Sequence, residues 1–150
     1  MKKSFLLVVS LLLLMAATTS TSAQSTDRDH PTQLRSNEIR GGLNKNGEEH
    51  FYSFIAGPGE LTITVDVKAN PDEQAVLNFE LLEKDVATQI LCCEFAQGDG
   101  GGTGRDAKSV KIGKRRIVIL HTTNGPIGGG TFRIRLSGPA ASGLVAGERQ

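Results

Sequence analysis

Short runs in which apolar and polar residues alternate dominate the chain between residues 37 and 138. The clearest run covers residues 61–67, where Leu, Ile, Val and Val alternate with Thr, Thr and Asp. Alternate residues of a strand point to opposite faces, and β-branched residues favour strands, so this run predicts a half-buried β-strand. Gly, Asn and Pro interrupt the alternation roughly every 8 to 15 residues, which is typical of an all-β fold.

Further runs follow the same rule, and together they predict about eight strands. Besides 61–67, the runs lie at residues 38–43, 50–55, 77–81, 91–95, 110–112, 117–120 and 132–136. A helix competes only between Pro71 and Lys84, where the period-two spacing of Leu77, Phe79 and Leu81 favours a strand. Because the strands are apolar on one face and polar on the other, two sheets must pack face to face. The sequence therefore predicts an antiparallel two-sheet β-sandwich, with a hairpin at the turn 56–59.

The first 23 residues have the pattern of an export signal. Lys2 and Lys3 precede a 13-residue apolar run at 5–17, and small residues lead to a predicted cleavage after Ala23. The run is shorter than the roughly 20 residues that a membrane span needs, so we expect no stable membrane anchor. The sequence predicts a bacterial protein that is secreted or periplasmic. A flexible lead-in (24–36), the sandwich domain (37–138) and a loose C-terminal tail (139–150) complete the predicted organisation.

Charge narrows the range of partners. The chain has 17 Lys and Arg against 16 Asp and Glu, and removal of Lys2 and Lys3 with the signal leaves 15 against 16, a net charge of −1. A near-neutral chain has no general attraction for polyanions, so nucleic acid is not an expected partner. The basic group at 108–116 fits the outer face of a strand followed by a solvated turn.

Several of these segments resemble the bacterial pre-peptidase C-terminal domain. Residues 52–54 (Tyr-Ser-Phe), followed by a Gly turn and the alternating strand to residue 65, look like that family's opening "Y-x-F, Gly turn, strand". Residues 77–81 are similar to its strand of alternating large apolar residues, and 130–136 to its closing "G-x-Y-x-L-x-V" strand, with Phe132 in place of Tyr. The resemblance implies a jelly-roll-like sandwich and an accessory module of secreted hydrolases.

The sequence departs from the family pattern in two places. The acidic residue that often precedes the aromatic pair is present only as Glu48 and Glu49, and the segment 97–105 is unusually rich in glycine. We expect no catalytic domain beside the module, so the resemblance implies fold and location more than activity.

Cys92 and Cys93 are the only two cysteines, and they are adjacent. Parity with Leu91 and Phe95 predicts that Cys93 faces the core and that Cys92 faces outward. One buried thiol with one incidental thiol, a strained vicinal disulfide, and a dimer linked through Cys92 are the structural alternatives. A nucleophilic cysteine would need His50 or His121 nearby, which only the tertiary fold could provide.

The segment 101–106 matches the start of a calcium-binding nonapeptide repeat. That repeat binds calcium only in stacked copies, whereas one copy is present and Lys108 occupies its apolar position, so a flexible loop is the preferred interpretation. We expect no cofactor and no metal site, and Asp99 and Asp106 are the residues to test if calcium binds.

Enzyme signatures are absent from the sequence: it has no G-x-S-x-G, no H-E-x-x-H and no P-loop, so no catalytic residue is predicted. The preferred function is a non-catalytic binding module with a protein or polysaccharide partner outside the cytoplasm. A carbohydrate-binding module is the alternative, which an outward-facing Tyr52 or Phe51 would favour, although parity with Phe54 predicts that Tyr52 is buried. A small hydrolase with cysteine or carboxylate chemistry is a third class.

Overall fold

The computed structural model describes residues 24–44, 47–85, 88–125 and 128–144. The predicted signal peptide at 1–23 lies outside these residues, as do residues 145–150. Within the described ranges, no helix is long and apolar enough to cross a membrane.

Nine strands and one short 3-10 helix make up the described fold. The strands are β1 (Thr32–Gln33), β2 (Glu38–Gly42), β3 (Glu49–Ala56), β4 (Gly59–Ala69), β5 (Gln74–Glu83), β6 (Gln89–Asp99), β7 (Thr103–Ile112), β8 (Arg116–Asn124) and β9 (Gly130–Ser137), and the 3-10 helix is Pro139–Ala141.

The strands form two sheets, with the orders β1-β3-β8-β5-β6 and β2-β9-β4-β7. Every neighbouring pair is antiparallel except β1 and β3, which are parallel. Each of the eight predicted runs lies within or overlaps an observed strand. The predicted all-β, jelly-roll-like sandwich is therefore confirmed.

The core lies between the two sheets and is built by the alternation that the sequence shows. On β4, Leu61, Ile63, Val65 and Val67 are fully buried, while the intervening residues are partly exposed. They pack in one hydrophobic cluster with the inward side chains of β3, β5, β8 and β9, among them Tyr52, Phe54, Leu77, Phe79, Leu81, Leu120, Ile134 and Leu136.

The predicted hairpin between β3 and β4 is wrong. β3 pairs with β1 and β8, whereas β4 pairs with β7 and β9 in the other sheet. The connection at Gly57 and Pro58 therefore passes from one sheet to the other across the end of the sandwich. A Gly-Pro turn signals a change of direction, but it does not determine whether the next strand pairs with the last one.

Both ends of the described chain are more structured than the sequence indicates. The segment expected to be a flexible lead-in contains β1, which pairs with Tyr52 and Ser53, and Leu34 packs against the core. The segment expected to be a loose tail begins with the 3-10 helix, whose Ala140 and Ala141 are buried. In both segments, a few small or apolar residues pack beside the sheets. The sequence has no periodic pattern there that would predict this packing.

Candidate functional site

A β-bulge in β6 shapes the most distinctive surface of the described structure. Phe79 pairs with Glu94 and Leu81 pairs with Leu91, so one residue of β5 lies opposite two residues of β6, Cys92 and Cys93. Cys93 has a positive φ of 63°, a conformation that is uncommon for a residue with a side chain and is typical of bulges and turns.

The bulge reverses the faces that the sequence predicts for this strand. Phe95 points to solvent with 56% of its surface exposed, Cys93 is also exposed, and Ala96 is buried instead. The prediction that Cys93 and Phe95 face the core is therefore wrong, because one extra residue shifts the alternation by one position. The small residues Ala96 and Gly98, which share a phase and both turn inward, were the signal available in the sequence.

Cys92 and Cys93 are joined to each other in a vicinal disulfide, with their Cα atoms 3.7 Å apart. No free cysteine remains in the described part of the chain. The bridge coincides with the bulge.

Phe95 belongs to a group of side chains on the outer surface of the five-stranded sheet. Asn78 lies opposite Phe95 on β5, and Thr123 lies opposite Asn78 on β8. In the next row, Glu80 lies opposite His121. We refer to these side chains together as the Phe95 face: Asn78, Glu80, Cys93, Phe95, His121 and Thr123. A shallow pocket of about 330 Å³ lies among them, lined by all of the group except Phe95.

The polar groups of the Phe95 face are held in place by their own contacts. His121 Nδ1 lies 2.7 Å from Glu80 Oε1, and Gln89 Nε2 donates to Glu80 Oε2 at 2.8 Å. His121 Nε2 lies 3.3 Å from Thr123 Oγ1. The imidazole also stacks on Phe51, with ring centroids 4.4 Å apart and planes 2° from parallel. These contacts fix the ring and give each of its nitrogens a partner.

A nucleophilic cysteine would need a histidine nearby, and Cys93 and His121 do line the same pocket. Cys93 is bonded to Cys92, however, and a disulfide sulfur is not the thiolate that nucleophilic catalysis requires. The other histidine in question, His50, is buried on the opposite face of the sheet. Burial lowers the pKa of His50, and the nearby charge of Glu48 opposes that shift.

Neither aromatic residue that the sequence considered as a sugar platform is exposed. Tyr52 is 2% exposed, as its parity with Phe54 predicts, and burial raises the pKa of its hydroxyl. Phe51 is also buried, in a second small cluster with Leu82 and Ile119. Phe95 is therefore the exposed aromatic ring that the sequence analysis missed.

Asp99 and Asp106 have separate partners in the structure. Asp99 accepts hydrogen bonds from Gln97 Nε2 at 3.2 Å. Asp106 lies 3.8 Å from Lys108 Nζ, which also forms an ion pair with Glu94 at 2.8 Å. Within the described ranges, no group of three or more His, Cys, Asp or Glu side chains is arranged to hold a metal ion.

The segment 97–105 is less of a loop than the sequence predicts. β6 continues to Asp99 and β7 begins at Thr103, so only three residues connect them. Contrary to the sequence prediction, Lys108 does not lie on the outer face. It shares the phase of Val110 and Ile112 and lies opposite the buried Ile63. Its Nζ forms an ion pair with Glu94 on the edge strand of the other sheet.

No protein-family model matches the sequence, and no curated protein matches it. Solved structures match it at low identity. A CBM36 domain of a multidomain xylanase from the hindgut metagenome of Trinervitermes trinervoides is 15% identical, with 65% of this chain and 76% of that chain covered and a TM-score of 0.47. A carbohydrate-binding module CBM36 in complex with calcium and xylotriose is 11% identical, with 66% and 88% covered and a TM-score of 0.46.

The pre-peptidase C-terminal domain of a collagenase from Bacillus anthracis is also similar to this chain. The identity is 16%, 72% of this chain and 95% of that chain are covered, and the TM-score is 0.45. A member of the family that the sequence patterns resemble is therefore among the similar structures. Similarities of this degree concern the fold alone, and no ligand is carried over from them.

Proposed function

We propose that this chain is an exported, non-catalytic binding module that holds its ligand on the Phe95 face. The observation that carries the proposal is the exposed ring of Phe95 in one cross-strand row with Asn78 and Thr123. Binding sites combine apolar contact area with a few fixed polar groups, and this row offers both. Because the row consists of residues on paired strands, the groups are held in a fixed geometry before a ligand arrives.

The chemistry of the same surface supports binding rather than catalysis. The sulfur of Cys93 is held in the disulfide, and both nitrogens of His121 have side-chain partners. Glu80 is hydrogen-bonded to both His121 and Gln89, which holds its carboxylate in place. These contacts orient the groups as a recognition surface.

A carbohydrate-binding module is the second candidate, and Phe95 is the observation that favours it. A sugar ring presents apolar C–H groups on one face and hydroxyl groups at its rim. The phenyl ring can cover the first, and the amide of Asn78 and the hydroxyl of Thr123 can bond to the second. The Asn78 amide is already anchored, since its Nδ2 donates to the Thr123 carbonyl oxygen at 3.3 Å.

Export of the chain is part of the proposal. The signal-like pattern at residues 1–23 directs a chain out of the cytoplasm. The disulfide between Cys92 and Cys93 supports the same location, because disulfides persist in oxidising compartments such as the periplasm or the extracellular space.

The test uses protein expressed from the full 150-residue sequence. Retention is measured on immobilised neutral polysaccharides and, in parallel, on protein from extracellular fractions. We expect Phe95→Ala to weaken binding about tenfold, because one well-packed aromatic contact contributes on the order of 1.4 kcal/mol. Ile117→Ala is the matched control, since Ile117 is 43% exposed on the same sheet and lies outside the Phe95 face.

The outcomes separate the candidates. Loss of glycan retention in Phe95→Ala with normal retention in Ile117→Ala identifies a carbohydrate-binding module, and the same contrast with a captured protein identifies an interaction module. Equal retention of wild type and Phe95→Ala on every bound partner would refute the Phe95 face as the binding site.

Calcium is tested in the same assay. If Asp99 and Asp106 bind calcium for recognition, chelation by EDTA abolishes retention. We expect retention to persist in EDTA, because each carboxylate already has its own partner, Gln97 or Lys108. Loss of retention in EDTA that Ca²⁺ restores would contradict this expectation.

A further inference from the structure

The outer face of the four-stranded sheet concentrates arginine. Register places Arg40, Arg133, Asp66 and Arg105 in one row that crosses all four strands. Neighbouring strands lie about 4.8 Å apart, so the row spans about 14 Å. In the adjacent row, Arg135 lies between Glu38 and Thr64. We call the four arginines with their two carboxylates the arginine face.

Two carboxylates hold the four guanidinium groups in place. Glu38 accepts from Arg40 Nε and from an Arg133 terminal nitrogen, both at 2.6 Å. Asp66 accepts from Arg105 Nε and, at 2.9 Å, from Arg135. Burial alone would raise the pKa of each carboxyl group, but the arginine hydrogen bonds outweigh it and lower both pKa values. Both carboxylates are therefore ionised at neutral pH.

The pairing leaves an excess of positive charge. Four guanidinium groups share two carboxylates, so the arginine face carries two positive charges more than negative ones. Lys68, in the row beyond Asp66 on β4, adds a third. Both oxygens of each carboxylate are occupied, whereas each arginine uses only part of its five N–H donors. The side chains of Arg40 and Arg105 are 51% and 63% exposed, so their remaining donors can reach a further anion, whereas the Nε atoms of Arg133 and Arg135 are buried.

A groove lies beside these donors. It has a volume of about 360 Å³, and its lining includes Arg40, Arg133, Asp66, Lys68, Thr103 and Thr131. The threonines add hydroxyl groups between the charges. The groove therefore offers cationic forks and neutral hydrogen-bonding groups side by side.

The composition of this face selects among anionic ligands. The large apolar side chains that are exposed in the described residues, Ile55, Phe95 and Ile117, all belong to the other sheet. A face without apolar anchors does not fit a protein partner, whose interface core is usually aromatic or aliphatic. Arginine forks match carboxylates in a bidentate geometry, and threonine hydroxyls match sugar hydroxyls.

We propose that the arginine face binds an acidic polysaccharide, whose carboxylate groups accept hydrogen bonds from the arginines. The site lies on the opposite sheet from the Phe95 face and is independent of it. The chain is close to neutral as a whole, so the attraction is local to this face and is weakened by salt.

The experiment measures binding of polygalacturonate to protein expressed from the full sequence, in about 20 mM and about 200 mM salt. We expect the double variant Arg40→Gln/Arg105→Gln to bind at least about tenfold more weakly at low salt, because two charge-assisted contacts are lost. These two arginines are the more exposed of the four, with side-chain exposures of 51% and 63%, so the fold should tolerate their replacement. Lys68→Gln is a second variant that leaves the ion pairs intact, and we expect it to weaken binding severalfold.

The matched control is Lys114→Gln/Arg115→Gln, which removes two positive charges from the exposed turn between β7 and β8. We expect it to bind polygalacturonate within about twofold of wild type. Phe95→Ala should also bind polygalacturonate normally, which keeps this proposal distinct from the first.

Several results would overturn the proposal. They are the absence of wild-type binding at low salt, an equal loss in the turn control, and a loss in Phe95→Ala. Binding of double-stranded DNA or of anionic phospholipid vesicles as tight as that of polygalacturonate would also overturn it, because the face would then respond to charge and not to a carboxylated sugar polymer.

Discussion

The buried side chain of His50 makes the free energy of unfolding depend on pH. It lies opposite Thr122 on β8, with 5% of its surface exposed, and its Nδ1 has no hydrogen-bond partner among the described residues. Its ring centroid is 6.5 Å from that of Tyr52. Burial lowers the pKa of His50 below its usual 6.5, against the opposing charge of Glu48. The folded protein therefore holds this histidine neutral where the unfolded chain would protonate it.

The sign of the effect follows from proton uptake. Below about pH 6.5 the unfolded state binds a proton that the folded state does not, so the free energy of unfolding falls as the pH falls from 7 towards 5. We expect His50→Phe, which cannot titrate, to lose this slope while differing by about 1 kcal/mol or less at pH 7. Urea unfolding at several pH values measures both quantities.

His30→Gln provides the control. His30 is exposed, and its hydrogen bond and ion pair with Asp27 raise its pKa, which is the opposite shift. We expect this variant to keep the decline between pH 7 and 5. A His50→Phe variant with the same decline as wild type would show that another group causes it.

Gly104 marks a place where two strands approach closely. It lies on β7, and a Cβ atom added there would overlap the carbonyl oxygen of Gln97 on β6. β6 and β7 are edge strands of different sheets, so this contact brings the sheets together at one side of the sandwich. The glycine is needed for space, since its φ is not positive.

We expect Gly104→Ala to lower the free energy of unfolding by about 1–3 kcal/mol, because the methyl group must push β6 and β7 apart. Gly113→Ala is the matched control, since no atom lies within 4 Å of its would-be Cβ atom. It should stay within about 1 kcal/mol of wild type. Equal stability of the two variants in urea unfolding would contradict the close approach.

The strands differ in how far the sequence could predict them. The strands themselves were predictable, because apolar alternation is a local property and survives in β4, β5 and β9. The exposure of Phe95 was harder to predict, because it depends on the bulge at Cys93, and the shared phase of Ala96 and Gly98 is the one sequence signal of that shift. Strand partners, such as those of β3 and β4, depend on contacts that are distant along the chain.

The arginine face was also predictable only in part. The outward positions of Arg133 and Arg135 follow from alternation, but their pairing with Glu38 and Asp66 depends on which strands are neighbours. The grouping of four arginines on one face required the strand order β2-β9-β4-β7, which the sequence does not specify.

At the scale of the whole molecule, the 3-10 helix Pro139–Ala141 closes one end of the sandwich. It follows β9 of the four-stranded sheet, and its Ala140 carbonyl oxygen accepts from Gly57 N at 2.9 Å, in the connection that leads from one sheet to the other. Ala140 is completely buried in the core cluster. A short segment after the last strand thus holds both sheets at the same end.

We expect Ala140→Asp to lower the free energy of unfolding by about 3 kcal/mol or more, because it places a carboxylate in the apolar core without a partner. Ser142→Asp introduces the same charge two residues later at an exposed position and should be nearly neutral. Thermal unfolding of the two variants compares them directly. Similar melting temperatures would mean that residues 139–141 do not close the sandwich.

The bulge at Cys92 and Cys93 has a consequence for the behaviour of the protein at high concentration. β6 is the outermost strand of its sheet and pairs only with β5, so its other side could act as a template for a strand of a second molecule. The bulge breaks the regular spacing of amide and carbonyl groups along that side, and the bond between the two cysteines fixes the break covalently. An edge interrupted in this way is a poor template for pairing with a strand of another molecule.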